Sequence, residues 1–224
     1  ADILIENGEV EVNGKIVTDL GMRISPKRDR VFWKGKEVKL QESMVYLLMN
    51  KPPQVLTATS DPKGRTTVMD LLHETDRAGL FPVGRLDKDT TGVLLITNDG
   101  ELGQRLTHPR YKVPKIYHVT LHRGLWSEDE NRIREGIELE DGVVKVDSIQ
   151  PLDKGKHPKR WEVSIHLGKK RIIRRLFEAL GYDVVDLNRI SFAGLTAKGL
   201  EQGDWRELTS KEISSLRKLA GLED

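Results

Sequence analysis

Gly84-Arg85-Leu86-Asp87-Lys88-Asp89-Thr90-Thr91-Gly92 leads directly into Val93-Leu94-Leu95-Ile96-Thr97. Turn formers and charges give way abruptly to an unbroken apolar run, which reads as a strand. Turn residues at such a junction hold their side chains at the rim of a rigid sheet, where sites are often built. Two carboxylates, two hydroxyls and two glycines make this the densest cluster in the chain. An Asp beside an Arg stays ionised, which suits a nucleophile or an electrostatic stabiliser. A plain strand-capping turn uses the same residue types, so the stretch alone leaves both readings open.

Outward from it, strand-like runs fall at 45–49, 93–97, 116–122, 143–149, 161–167 and 183–187. Ser127 with Glu130 predicts a capping box, with Gly136 stopping that helix. Thr209 with Glu212 opens a last helix in the same way. Residues 170–180 are basic at the start and apolar at Ile172, Ile173, Leu176, Phe177 and Leu180, with Gly181 after them. Strands outnumber helices, and several are joined by turns too short for crossover helices. The expected class is α+β on a mixed, largely antiparallel sheet, with the main domain spanning 45–224.

Residues 1–40 read as a small separate unit, with 40–44 as a linker. Residues 1–7 look like the end of a helix capped by Gly8. Val10, Val12, Asn13-Gly14, Ile16 and Val17 predict a hairpin on a type I′ turn. Val31, Trp33, Lys34-Gly35 and Val38 predict a second one. So short a unit buries little by itself. The chain opens in mid-helix without Met, so the front of this module is expected to be missing.

Composition excludes several classes. The chain has 224 residues, 37% hydrophobic and 32% charged. No apolar run approaches the roughly 18 residues of a membrane span, and no secretory signal opens it, so a cytoplasmic, membrane-free protein is expected. With no cysteine, disulfides, thiolate catalysis and Cys-ligated metals are ruled out. Lys+Arg 37 against Asp+Glu 35 is nearly neutral, but the charges are sorted. Lys154, Lys156, Lys159, Arg160, Lys169, Lys170, Arg171, Arg174 and Arg175 fall within 151–175, opposed by Asp153 and Glu162. Residues 127–147 are acidic. A globule with one basic and one acidic face holds a polyanion on the first, whereas two solvated segments would look the same by charge alone. His118 and His122, four apart on a strand, stand about 13 Å apart, too far for one metal. No metal site is expected. Trp33, Trp126, Trp161 and Trp205 read as packing residues.

Taken together the motifs become recognisable. The 84–92 run resembles the signature of pseudouridine synthases, in particular the RsuA/RluB branch that modifies ribosomal RNA. Other landmarks follow in order. Met49-Asn50-Lys51-Pro52-Pro53 resembles the Lys-Pro motif and Asp61 to Val68 the segment after it. Lys115-Ile116-Tyr117 resembles the tyrosine motif, Gly168 to Phe177 the third motif, and Gly203 to Leu208 the closing Gly-Trp-Arg-x-Leu stretch. Leu4 to Gly14 resembles the second half of an S4 RNA-binding module. The resemblance implies that Asp87 is the catalytic aspartate and Asp89 a structural neighbour. It implies that Tyr117 packs on the target base as a candidate general base. Arg174 is then the residue pairing with Asp87, and Arg85 helps hold a flipped nucleotide. Lys51, Lys169, Lys170, Arg171 and Arg175 are expected RNA contacts. Ile172 departs from the family, many members of which carry Gln there.

The chemistry follows. Uridine becomes pseudouridine when the N1–C1′ bond breaks, the uracil turns, and C5 bonds to C1′. No atom enters or leaves, so no cofactor is expected. One ionised carboxylate serves, by adding to uracil C6 or by attacking C1′, and sequence does not choose. The expected partner is ribosomal RNA or a pre-ribosomal particle, met by a monomer. The tight 136–142 connection favours a large-subunit (RluB-like) over a small-subunit (RsuA-like) target. Two other classes compete. An S4-type assembly factor without catalysis would bind RNA but not isomerise it. Asp87-Lys88-Asp89-Thr90-Thr91 also satisfies the Asp-x-Asp-x-Thr pattern of dehalogenase-like phosphatases, which put that motif after an apolar strand rather than before it.

Overall fold

The structure, a computed structural model, describes residues 2–25, 28–38, 44–72 and 79–222. The chain divides into two compact units, Ala1–Met44 and Val45–Asp224. Most of the expected linker, residues 40–43, lies outside the described residues.

The smaller unit opens with α1 (Asp2–Glu6), which ends at Gly8, φ 68°. Strands β1 (Val10–Val12), β2 (Lys15–Val17), β3 (Val31–Trp33) and β4 (Lys36–Val38) form an antiparallel sheet in the order β2-β1-β3-β4. Asn13 and Gly14, at φ 52° and 79°, make the expected I′-like turn. Lys34 and Gly35 repeat it at 49° and 73°. Val12 is the buried hydrophobic residue of this unit among the described residues.

The larger unit carries β5 (Tyr46–Lys51), β6 (Phe81–Pro82), β7 (Thr91–Thr97), α2 (Gly100–Thr107), β8 (Lys115–Leu121) and α3 (Ser127–Glu135). It continues through β9 (Ile137–Leu139), β10 (Gly142–Val144), β11 (Ser148–Pro151), β12 (Arg160–Ile165) and α4 (Ile172–Glu178). It ends with β13 (Val184–Phe192), β14 (Trp205–Glu207) and α5 (Ser210–Leu219). The main sheet runs β11-β12-β8-β13-β7-β5-β14, with β6 also on β7. Its pairings are antiparallel except β13 with β7. The class is therefore α+β with a mixed, mostly antiparallel sheet, as the sequence implies.

β5 and β7 are covered on both faces, which explains their apolar runs. Leu48, Val93 and Leu95 pack with Leu102, Leu106 and Leu216 of α2 and α5. Leu47, Met49, Leu94 and Ile96 pack on the other face with Val55, Val68 and Leu72. A third core joins β8, β12 and β13 to α3 and α4 through Val119, Trp161, Val163, Leu176 and Phe177. The parallel join needs Gly92: a Cβ there would collide with the Arg189 carbonyl and Asn188 Oδ1.

Three local expectations are corrected. The run 143–149 is two strands: β10 closes a small hairpin on β9, and β11 then joins the main sheet. Ser127 is the first residue of α3 rather than its cap; the cap is Trp126, and Glu130 bonds Arg134 instead of turning back. Trp161 is core, but Trp33 and Trp126 are 41% and 52% exposed. Trp126 lies against the His157 ring, centroids 4.2 Å apart. The Thr209/Glu212 box caps α5 as expected.

Candidate active site

A cleft of about 310 Å³ opens where three segments meet: the turn ahead of β7, the middle of β8, and the loop into α4. The first contributes Arg85, Asp87 and Thr90, the second Tyr117, and the third residues 168–173. Residues some 30 and 80 positions beyond Asp87 are thus brought beside it by the strand order β8-β13-β7.

The turn is held from below. Gly84 takes φ 76°, a left-handed conformation natural to glycine. The Thr90 amide donates to the Asp87 carbonyl at 3.0 Å. The Thr57 hydroxyl donates to the Leu86 carbonyl at 2.9 Å. Asp89 accepts from the Gln54 amide at 2.6 Å on the exposed side of the turn. Asp87 is half-buried and lines the cleft.

Lys51 is not an RNA contact. It is wholly buried, and its ammonium donates to the carbonyls of Pro52, Lys88 and Thr90 at 2.9, 3.1 and 3.0 Å. Burial lowers its pKa to about 8, against the opposing pull of Asp89 and Asp87. A charged terminus bonded to three carbonyls belongs to the frame of the turn.

Tyr117 is 8% exposed and stands on the cleft wall, opposite Val163 of β12 and Arg189 of β13. Its hydroxyl has no hydrogen-bond partner among the described residues, leaving it available to a ligand. Two further buried cations stand on this strand and its β13 neighbour. Lys115 donates to the carbonyls of Val113 and His166, and burial with the nearby Arg189 lowers its pKa to about 8. Arg189 donates to the Val93 carbonyl and lies over the Phe192 ring.

The cations of the basic loop have different partners. Arg171 adopts a left-handed φ of 51° as the N-cap of α4, lines the cleft, and pairs with Glu178 at 3.2 Å. Arg175 pairs with Asp141 at 2.6 Å, and Lys169 lies 3.5 Å from the same carboxylate. Arg175 and Lys169 hold the Asp141 carboxyl down at about 2. The acidic 138–141 turn therefore meets the basic loop, rather than forming an opposite face. Lys170 and Arg85 line the cleft, exposed and without an ion-pair partner among the described residues.

Arg174 is not at the cleft surface, and no ion pair joins it to Asp87 among the described residues. It falls in the first turn of α4, where its guanidinium donates to the Val184 carbonyl at 2.6 Å. That bond ties α4 to the start of β13. Ile172, at the position where Gln was the alternative, is buried and contributes apolar wall.

The site's support was not readable beforehand. Lys51, Gln54 and Thr57 lie about 30 to 40 positions from the groups they hold, and no local pattern links them.

The sequence profile of the RNA pseudouridylate synthase family matches residues 45–179. The chain is 41% identical over 223 residues to "Ribosomal large subunit pseudouridine synthase B" of Bacillus subtilis (strain 168), covering 98% of this chain and 90% of that protein. It is 39% identical to an RNA pseudouridine synthase of Aquifex aeolicus (strain VF5), over all of this chain and 89% of that one. A solved pseudouridylate synthase superposes with a TM-score of 0.73 at 30% identity, covering 96% and 91% of the two chains. A matched profile over more than half the chain, near full-length relatives and a shared fold make this chain a member of the RNA pseudouridylate synthase family.

Proposed function

We propose that this enzyme isomerises a uridine of ribosomal RNA, with the large-subunit RNA as its target, and that Asp87 is the nucleophile. The observation that carries the reading is the meeting of an ionisable Asp87 with the unpartnered Tyr117 hydroxyl in one cleft. The 41% identity to a protein named for the large ribosomal subunit supports the choice of RNA.

In this reading the uridine leaves its stack, at a cost of a few kcal/mol, and enters the cleft. Arg85, exposed at the rim, fills part of the space it leaves. Asp87 adds to uracil C6 or attacks C1′. Either route makes an ester to the aspartate and frees the N1–C1′ bond. The uracil turns, C5 bonds to C1′, and the ester breaks to return the carboxylate. Tyr117 stacks on the ring; its phenolic oxygen accepts the C5 proton as its own O–H proton passes to water, and N1, freed from C1′, takes one proton up. Lys170 and Arg171 hold phosphates at the cleft edge. The small unit, with its I′-turned hairpins, acts as an S4-like RNA grip.

Chemical mapping of pseudouridine in ribosomal RNA, from cells with and without this protein, tests the target. One large-subunit uridine unmodified in its absence is the expected result. A lost small-subunit site would redirect the target, and unchanged ribosomal RNA would overturn it.

A further inference from the structure

Thr90 is 2% exposed, yet it lines the cleft together with Asp87 and Tyr117. Its backbone is fully employed: the amide donates to the Asp87 carbonyl, and its own carbonyl accepts from Lys51. Its hydroxyl is not. Oγ1 is closed off from solvent and has no hydrogen-bond partner among the described residues. Valine has the same shape and would fill this space without burying an unsatisfied polar group. The other such atoms among the described residues, His157 Nδ1 and Arg189 Nη2, are not on residues that line the cleft.

Asp87 and Thr90 are the first and fourth residues of a turn closed by their own backbone bond, so their Cα atoms are near neighbours. One rotation about χ1 re-aims the Thr90 hydroxyl. With the cleft open, the half-buried Asp87 is solvated on its exposed side. A base seated over it removes that solvation, and an ionised carboxylate in a closed cleft then needs a donor.

We propose that Thr90 is a positioning residue for Asp87: when uridine fills the cleft, its hydroxyl swings to donate to one carboxylate oxygen and leaves the other free to attack. The bond favours the charged form, offsetting the desolvation that would otherwise protonate Asp87. It also removes a rotational degree of freedom from the nucleophile. The inference rests on the reading of Asp87 as nucleophile.

The test compares Thr90→Val, Thr90→Ser and Asp87→Asn in the full chain, using a ribosomal RNA fragment that contains the mapped uridine. Single-turnover rate against pH, RNA affinity and thermal midpoint are measured for each. T90V should melt at or above the wild-type temperature and bind RNA within about threefold, because no protein bond is lost. Its single-turnover rate should fall about 10- to 100-fold. Its acidic limb should move to higher pH, because losing the donor raises the carboxyl pKa in the complex. T90S should recover most of the rate and the wild-type limb. A fully active T90V with an unmoved limb overturns the inference. So does a T90V that melts well below wild type with normal rate per folded molecule. Asp87→Asn separates the two levels: a dead D87N beside a fully active T90V sinks the Thr90 role alone, whereas an active D87N removes the nucleophile assignment and this inference with it.

Discussion

Lys51 lies beneath Thr90, its ammonium 3.0 Å from the Thr90 carbonyl and 3.1 Å from that of Lys88. The turn that carries Asp87 is thus pinned from strand β5 by a buried cation. Lys51→Met keeps length but leaves three carbonyls without their donor. Loss of stability of about 2 kcal/mol at pH 7 is expected by chemical denaturation, with a larger fractional loss of turnover than of RNA affinity. The pH dependence has a definite sign. The folded-state pKa near 8 lies below that of the unfolded lysine, so between about pH 8 and 10.5 the unfolded chain holds more protons. Carrying its charge into the fold therefore costs the most below pH 8 and progressively less above it, even though the bonded side chain supports the turn. Melts from pH 7 to 10 should show a rise that is smaller in K51M. Lys115, shifted the same way, contributes to the rise that remains.

Asp87→Asn should abolish isomerisation while leaving RNA affinity within a few-fold. The amide matches the size of the acid but adds poorly to C6 or C1′. Asp89→Asn should retain most activity, since that carboxylate is bonded to Gln54. Turnover by D87N with a dead D89N would move the nucleophile to Asp89.

Arg174→Ala should destabilise the fold by about 1 kcal/mol, the worth of a typical hydrogen bond, by releasing α4 from Val184. Arg174→Lys, which keeps one donor on a long stem, should recover part of it. If the only role of Arg174 is this tie, activity per folded molecule survives in both variants. A loss of more than about tenfold in turnover by folded R174A would show that the side chain reaches Asp87 in the complex.

Asp141→Asn should tighten RNA binding. It frees Arg175 and Lys169 from a carboxylate that now neutralises them. The slope of log affinity against log salt should steepen by about one unit for each cation that gains a phosphate. Lys170→Ala should flatten it by about one unit, and Lys169→Ala by less. An unchanged slope in all three would move the RNA path away from this loop.

Thr209→Ala should cost about 1 kcal/mol through loss of the α5 cap. Glu212, bonded by Arg206 and by the Thr209 amide, has its pKa lowered to about 2. Its contribution is complete above about pH 4.5 and is lost as pH falls toward 2. Denaturation of Glu212→Gln against wild type at pH 3 and pH 7 should differ at pH 7 and converge at the lower pH.

Local signals were legible wherever neighbours in sequence are neighbours in space. Asn13-Gly14 and Lys34-Gly35 specify their turns through residues that accept positive φ. Thr209 and Glu212 meet across one helical turn. The apolar runs of β5 and β7 reflect burial on both faces. Ser127 failed because the chain enters α3 one residue earlier, at Trp126, and Arg134 draws Glu130 forward. The site was legible in part for the same reason. Asp87 and Tyr117 stand out by their motifs. Lys51 looks like any exposed lysine until β5 carries it under the turn, and the charge segregation of 127–147 and 151–175 dissolves once Asp141 meets Arg175.

The main sheet joins its first strand to its last: Leu47, Leu48 and Met49 of β5 pair with Glu207, Arg206 and Trp205 of β14. During synthesis the N-terminal strand of this unit must wait, one edge open, for some 150 further residues to be made. Contacts so distant along the chain form late and slowly. β5 also anchors Lys51 under the turn that carries Asp87. The strand that supports the Asp87 turn therefore gains its second neighbour only as the C-terminal segment docks.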